Sequence, residues 1–158
     1  MKTCGIITEY NPFHQGHIYH IKKTKELTQC DCLIAIVSNH FTQRGLFSLL
    51  TMEDKTKLAL EAGCNLVIEL PPCYAAQSAD YFAKYAVESL SQLHIDQICF
   101  GSETNNISTL KEYSKQMEST QVVPSLSMNQ NLYTKNIRPN DILGIQYIKQ
   151  CEKYGITP

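Results

Sequence analysis

Two histidines, His14 and His17, stand in the run Thr8-Glu9-Tyr10-Asn11-Pro12-Phe13-His14-Gln15-Gly16-His17, where an apolar stretch ends and a helical pattern begins. At the mouth of a helix, a spacing of three lets both imidazoles face one bound group. Backbone N–H groups at a helix N-terminus attract phosphate, and Gly16 removes a side chain that would hold a nucleotide off the backbone. Neutral or protonated imidazoles there can donate to phosphate oxygens and stabilise charge as an α-phosphate is attacked and pyrophosphate leaves. The pattern His-x-Gly-His is short, and its strand-to-helix position gives it weight. It predicts nucleotide binding. One competing reading makes the histidines solvent-exposed members of a polar helix start. Another makes His14, His17 and His20 zinc ligands, but the third drifts around the helix and no carboxylate or cysteine is obviously placed to complete a set.

Arg44 is the second candidate, because the chain has only two arginines among its 14 basic residues. In a loop after a strand it can meet a phosphate or a carboxylate, or simply fix its own loop. Glu9 can meet a metal ion or substrate indirectly or hold the loop, and for Asn11 the structural role is favoured. Lys22, Lys23 and Lys25 can touch an RNA backbone, although such runs are usually a solvated face. Tyr74, Tyr81 and Tyr85 read as core or groove residues before they read as base-stacking platforms.

The elements that must position these residues alternate. Short β-branched runs at Cys4 to Thr8, Cys32 to Ser38, Asn65 to Leu70 and Gln97 to Phe100 read as strands. Between them lie helices at Gly16 to Leu27, Thr51 to Ala62 and Ser78 to Leu93, with Thr51 and Asp54 forming a capping box and Gly63 ending the second helix. This alternation predicts an α/β fold, a three-layer sandwich around a parallel sheet of four or five strands with ligand at its carboxyl edge. A helix from Ser108 to Ser119 follows, then an irregular stretch from Thr120 to Pro139. A last helix starts with Asn140 as its N-cap and ends near Tyr154 before Gly155. The closing Ile156-Thr157-Pro158 stands where a fifth strand should begin.

The chain of 158 residues, 43% hydrophobic, suffices for one core and predicts a single domain over residues 1–158. A formal net charge of -1 gives no general attraction to a phosphate backbone, so nucleic acid must be held locally or by another chain. No signal-peptide core and no run of about 18 apolar residues is present, which predicts a cytoplasmic protein with no membrane partner. Seven cysteines, an odd number with no Cys-x-x-Cys, read as free thiols.

Gly5-Ile6-Ile7-Thr8-Glu9-Tyr10-Asn11-Pro12-Phe13-His14-Gln15-Gly16-His17 resembles the opening of the tRNA(Met) cytidine acetate ligase family, within the HIGH-motif nucleotidylyltransferase superfamily. Phe41-Thr42-Gln43-Arg44-Gly45, Leu66-Val67-Ile68-Glu69-Leu70-Pro71, Gln77-Ser78-Ala79-Asp80-Tyr81-Phe82-Ala83, Cys99-Phe100-Gly101-Ser102-Glu103 and Pro139-Asn140-Asp141-Ile142-Leu143-Gly144 agree with it in family order. The resemblance implies a Rossmann-like fold and an enzyme that uses ATP to activate acetate as acetyl-adenylate. It also implies transfer of the acetyl group to N4 of the wobble cytidine of elongator tRNA(Met), with Mg2+ escorting pyrophosphate. Carried over, the nucleotide segment is Ile7, Thr8, Glu9, Tyr10, Asn11, Pro12, Phe13, His14, Gln15, Gly16, His17, Ile18, Tyr19 and His20, with Gly101 near the adenosine and Asn140 as a further contact. His14 and His17 become the catalytic pair.

Family members are longer, and both their tRNA-holding C-terminal region and an arginine motif at the nucleotide phosphates would lie beyond Pro158. The stretch between Ile107 and Asn140 is shorter than is typical. The expectation is therefore either a shortened ligase that binds ATP but acts poorly alone, or half of a site completed by another chain. Two other classes stay open. One is an adenylyltransferase acting on a small phosphorylated acceptor. The other is a non-catalytic ATP-binding or dimerising module whose open sheet edge pairs with a neighbour as a homo-oligomer.

Overall fold

The computed structural model describes residues 1–119 and 137–158. Four strands, β1 (Thr3–Thr8), β2 (Cys32–Ser38), β3 (Leu66–Leu70) and β4 (Gln97–Ile98), form a parallel sheet in the order β3-β2-β1-β4. The chain winds outward from β1 to β3 and then returns to the other side of β1. The order thus reverses beside the carboxyl end of β1, where open α/β sheets bind ligands.

Alternation along the strands divides two cores. Cys4, Ile6, Leu33, Ala35 and Val37 cluster with Ile21 of α1 (Gln15–Thr28) and Ala59 of α2 (Met52–Ala62). Ile7, Ile34 and Ile36 cluster on the opposite face with α4 (Ala79–Ser91) and with Tyr147 and Cys151 of the C-terminal helix α6 (Pro139–Tyr154). The buried stripe Phe82, Ala83, Ala86, Val87, Leu90 lets α4 lie on β1. Contact is close enough that a Cβ at Gly5 would stand 2.7 Å from Leu90 Cδ1. Leu110 of α5 (Ile107–Ser119) packs on Ile142, Ile145 and Ile148, so α6 is covered on two sides.

Several expectations are adjusted. A short helix α3 (Pro72–Ala75), with Pro72 in its first turn, precedes α4. At α2 the Thr51 hydroxyl accepts from the Asp54 N–H at 3.1 Å and donates to the Asp54 carboxylate at 2.8 Å, leaving the box half closed. Asn140 is not the N-cap of α6. Arg138 is, because Pro139 lacks an N–H and suits the first helical position. Tyr74 and Tyr81 are exposed and flank Tyr85 rather than filling a core. Of the stretch expected to be irregular, residues 120–136 lie outside the described residues. β4 ends at Ile98, short of Phe100, whose ring leaves the sheet to meet Tyr147 at 5.5 Å. On the outer side of β4, Thr157 makes a parallel bridge to Gln97. The Ile98 N–H donates to Thr157 O at 2.8 Å and the Thr157 N–H to Asp96 O at 3.1 Å, in the position of a fifth strand.

Candidate active site

After β1 the chain turns at Asn11–Pro12, a cis peptide, and His14 takes the extended backbone of an N-cap (φ -150°, ψ 176°). The Gly16 N–H donates to His14 Nδ1 at 3.0 Å and the His14 N–H donates to His17 Nδ1 at 3.2 Å, a capping box built from two imidazoles. The rings stack with centroids 3.9 Å apart. An Nδ1 that accepts a hydrogen bond carries no proton, so each ring is the neutral tautomer with its proton on Nε2. The backbone donors expected to be free for phosphate are thus partly spent on the box, which leaves Nε2–H as the outward donor of each ring.

Tyr10 and Phe13 sit behind this pair. Tyr10 is 1% exposed, its ring is 4.9 Å from that of His17, and Phe13 lies 5.5 Å from the same ring. The apolar backing desolvates His17 and, with His14 and His20 nearby, lowers its pKa to about 4. His20 is also lowered by burial, and its Nε2 is buried with no hydrogen-bond partner among the described residues.

His14, His17 and His20 open onto a cleft of about 960 Å³ at the carboxyl edge of the sheet. On its β4 side lie Phe100, Gly101, Asn140, Leu143 and Tyr147. A Cβ at Gly101 would meet nothing within 4 Å, whereas one at Gly144 would stand 2.7 Å from Phe100 Cε2. Gly144 therefore makes room for the aromatic wall, and Gly101 leaves open space beside it. Two carboxylates lock this side in a reciprocal tie. Buried Asp141 accepts from the hydroxyls of Ser102 and Thr104, both at 2.6 Å, while Glu103 accepts the Asp141 N–H at 3.0 Å at the start of α6. Burial works to raise the Asp141 pKa, but the bonds from Ser102, Thr104 and the backbone outweigh it, and the carboxyl lies below its usual range.

On the β2 side, Thr42, Gln43, Arg44 and Leu46 line the cleft. Glu9 accepts the Gln43 N–H, and Asn11 holds the following strand-like segment by donating to Phe47 O at 3.2 Å and accepting from the Leu49 N–H at 2.7 Å. Asn11 thus has a structural role. Beneath this loop Lys55, 1% exposed, donates to the carbonyls of Ser38 at 2.8 Å and Asn39 at 3.1 Å. Burial lowers its pKa, while the charge of Glu9 works to raise it.

Of the residues selected from sequence, Ile7, Thr8, Glu9, Asn11, His14, Gly16, His17, His20, Gly101 and Asn140 come together around the cleft. Tyr10 and Phe13 back it from the core, Tyr19 is 67% exposed on α1, and Pro12, Gln15 and Ile18 do not line it. Lys23 pairs with Glu26 at 2.7 Å on the solvated face of α1. The aromatic wall, the Asp141 tie and buried Lys55 were missed. Asp141 stood in a segment already singled out, and Lys55 falls on the buried stripe with Ala59, one turn on, so a strict helical-face reading would have flagged both. Among the described residues no three His, Cys, Asp or Glu converge to hold a metal, and no helix is long and apolar enough to cross a membrane.

Residues 1–157 match the family model described as HIGH Nucleotidyl Transferase. The chain is 41% identical over 180 residues to a tRNA(Met) cytidine acetate ligase of Geobacillus sp. (strain WCH70), covering 100% of this chain and 45% of that protein. It is 41% identical over 182 residues to one of Clostridium novyi (strain NT), covering 99% of this chain and 46% of the relative. The fold superposes on Thermotoga maritima TmcAL bound with alpha-thio ATP with a TM-score of 0.88 at 30% identity, covering 99% of this chain and 45% of that one. The chain thus spans about half the length of the curated relatives it matches.

Proposed function

The chain belongs to the HIGH nucleotidyl transferase family, and from that membership we propose that its cleft binds ATP and forms acetyl-adenylate, the activated donor for acetylating N4 of the wobble cytidine in elongator tRNA(Met). The observation that carries this reading is the double-imidazole cap, which faces a cleft with two neutral Nε2–H donors held by the helix backbone. A neutral donor suits a phosphate oxygen that gains charge, and a preorganised one needs no rearrangement when that charge develops.

In this reading the adenosine lies against Gly101 and the Phe100–Tyr147 wall, and the triphosphate crosses the mouth of α1. A carboxylate oxygen of acetate attacks the α-phosphorus in line, the bond from that phosphorus to the bridging oxygen breaks, and pyrophosphate leaves with the electron pair. The cytidine N4 amine then attacks the acetyl carbon, the bond to AMP breaks, and one N4 proton is released. His14 and His17 donate to the α-phosphate oxygens in the first step. The described residues do not form a magnesium site, since Glu9, the one carboxylate among the cleft residues, already holds Gln43. Magnesium would be carried in by the phosphates and not held by these side chains.

The names of the relatives and the α-thio ATP of the Thermotoga protein support the ATP, acetate and tRNA parts of the proposal. The decisive experiment is acetate-dependent exchange of labelled pyrophosphate into ATP by the purified chain, with and without tRNA. Exchange means that adenylate forms here. ATP binding by calorimetry with no exchange means that this chain is a nucleotide-binding part of a larger machine.

A further inference from the structure

We propose that Arg44 receives the carboxylate of the small acid substrate on the β2 side of the cleft, an assignment that rests on the activation reading above. The backbone around Arg44 is held from every direction. Glu9 takes the Gln43 N–H, the Gln43 side chain donates to Gln77 O, and the Gly45 N–H donates to Thr42 O at 2.9 Å. Thr42 and Leu46 close the loop, with the Thr42 N–H donating to Leu46 O at 2.8 Å and the Leu46 N–H to Thr42 Oγ1 at 3.1 Å. Phe41 and Phe47 bridge its base. These bonds leave the guanidinium unused. Arg44 is exposed, lines the cleft, and makes no hydrogen bond or ion pair among the described residues.

A loop whose backbone is already fixed leaves only the Arg44 side chain to be ordered when an anion binds, and the planar fork of the guanidinium matches a carboxylate. The division of the cleft selects which anion. The side-chain-free gap at Gly101 and the aromatic wall lie on the β4 side, the imidazole donors at the mouth of α1, and Arg44 on the β2 side across β1. With adenosine and phosphates on the first two, the remaining side is where the attacking group must wait. A guanidinium bonded to one carboxylate oxygen leaves the other oxygen free to attack the phosphorus.

The test uses the whole chain saturated with α,β-methylene ATP, in which the α–β bridge cannot be cleaved, and follows binding of acetate through its own NMR linewidth. Arg44→Ala should weaken acetate binding at least about ten-fold, the loss expected when a charged hydrogen-bond donor is removed. Affinity for the ATP analogue by calorimetry should stay within about two-fold, and Arg44→Lys should restore only part of the loss because it lacks the fork. The circular dichroism spectrum and Tm of both variants should match the parent. A loss of nucleotide affinity with acetate unchanged would assign Arg44 to the phosphates. A loss of tRNA affinity alone would assign it to RNA. Either result, or no acetate binding by the parent chain, overturns the proposal. Acetate binding through Arg44 without pyrophosphate exchange would instead remove the activation reading and leave Arg44 as a carboxylate site.

Discussion

The amide of Gly16 donates to His14 Nδ1 at 3.0 Å, and a methyl group placed at Gly16 would stand 2.8 Å from Cε1 of the same ring. Gly16 is therefore small for the sake of His14, before any nucleotide arrives. Gly16 also lines the cleft, so this internal contact stands beside the expected approach of a ligand to the backbone.

Gly16→Ala should keep the fold, since alanine favours a helix more than glycine does by about 1 kcal/mol. It should also push the His14 ring from its stacked position. The expected result is an unchanged or higher Tm with a loss of about ten-fold or more in ATP affinity or pyrophosphate exchange, from the displaced donor. Full activity in this variant would mean that the double-imidazole cap is not used.

His14→Ala combined with His17→Ala should reduce acetyl-adenylate formation by about 10²-fold or more, the usual cost of removing an oxyanion donor. Rapid-quench measurement of adenylate checks the rate, and circular dichroism checks that the helix survives without its box.

The His17 imidazole should titrate in the free protein with a midpoint near 4, read from its ring carbon and nitrogen shifts. Because this lies below the unfolded value of 6.5, the unfolded chain takes up the proton first as pH falls. The stability penalty is absent above about 6.5, grows as pH falls toward 4 and is constant below that. Bound ATP should raise the midpoint, since an adjacent negative charge favours the imidazolium.

Gly101→Ala and Gly144→Ala should separate binding from packing. The first adds a methyl to open space and should leave Tm unchanged while weakening ATP binding. The second drives a methyl to within 2.7 Å of Phe100 and should lower stability by about 1–3 kcal/mol, partly offset by helix propensity. Thermal melts and calorimetry on both variants make the comparison.

Lys55→Met should destabilise the chain by about 1–3 kcal/mol, because the carbonyls of Ser38 and Asn39 lose their buried donor. Urea unfolding measures the loss. A variant as stable as the parent would mean that another group reaches those carbonyls.

Much of the architecture was legible in local pattern. Strand β2 begins and ends at the residues its apolar run predicts, Gly63 and Gly155 adopt positive φ at the ends of α2 and α6, and the His-x-Gly-His run caps and opens α1 after β1. Side-chain period and the conformational freedom of glycine act within a few residues, so they can be read along the chain. The outward winding and return that set the strand order were not legible in this way, since the order rests on pairings such as Thr3 with Asp96.

Tertiary structure decided the chemistry of the loop residues. Whether His17 is charged depends on Tyr10 and Phe13 drying it, and whether the amides of His14 and Gly16 are free depends on which way two rings turn. That Lys55 is a buried donor depends on carbonyls that β2 brings beneath it. That Asp141 shapes the Gly101 side depends on partners 37 and 39 residues away. The sequence by itself determined the residue types, their spacing and the elements that carry them. Hydrogen bonding and desolvation are properties of neighbours in space, so the protonation state, the free donors and the division of the cleft came only with the folded chain.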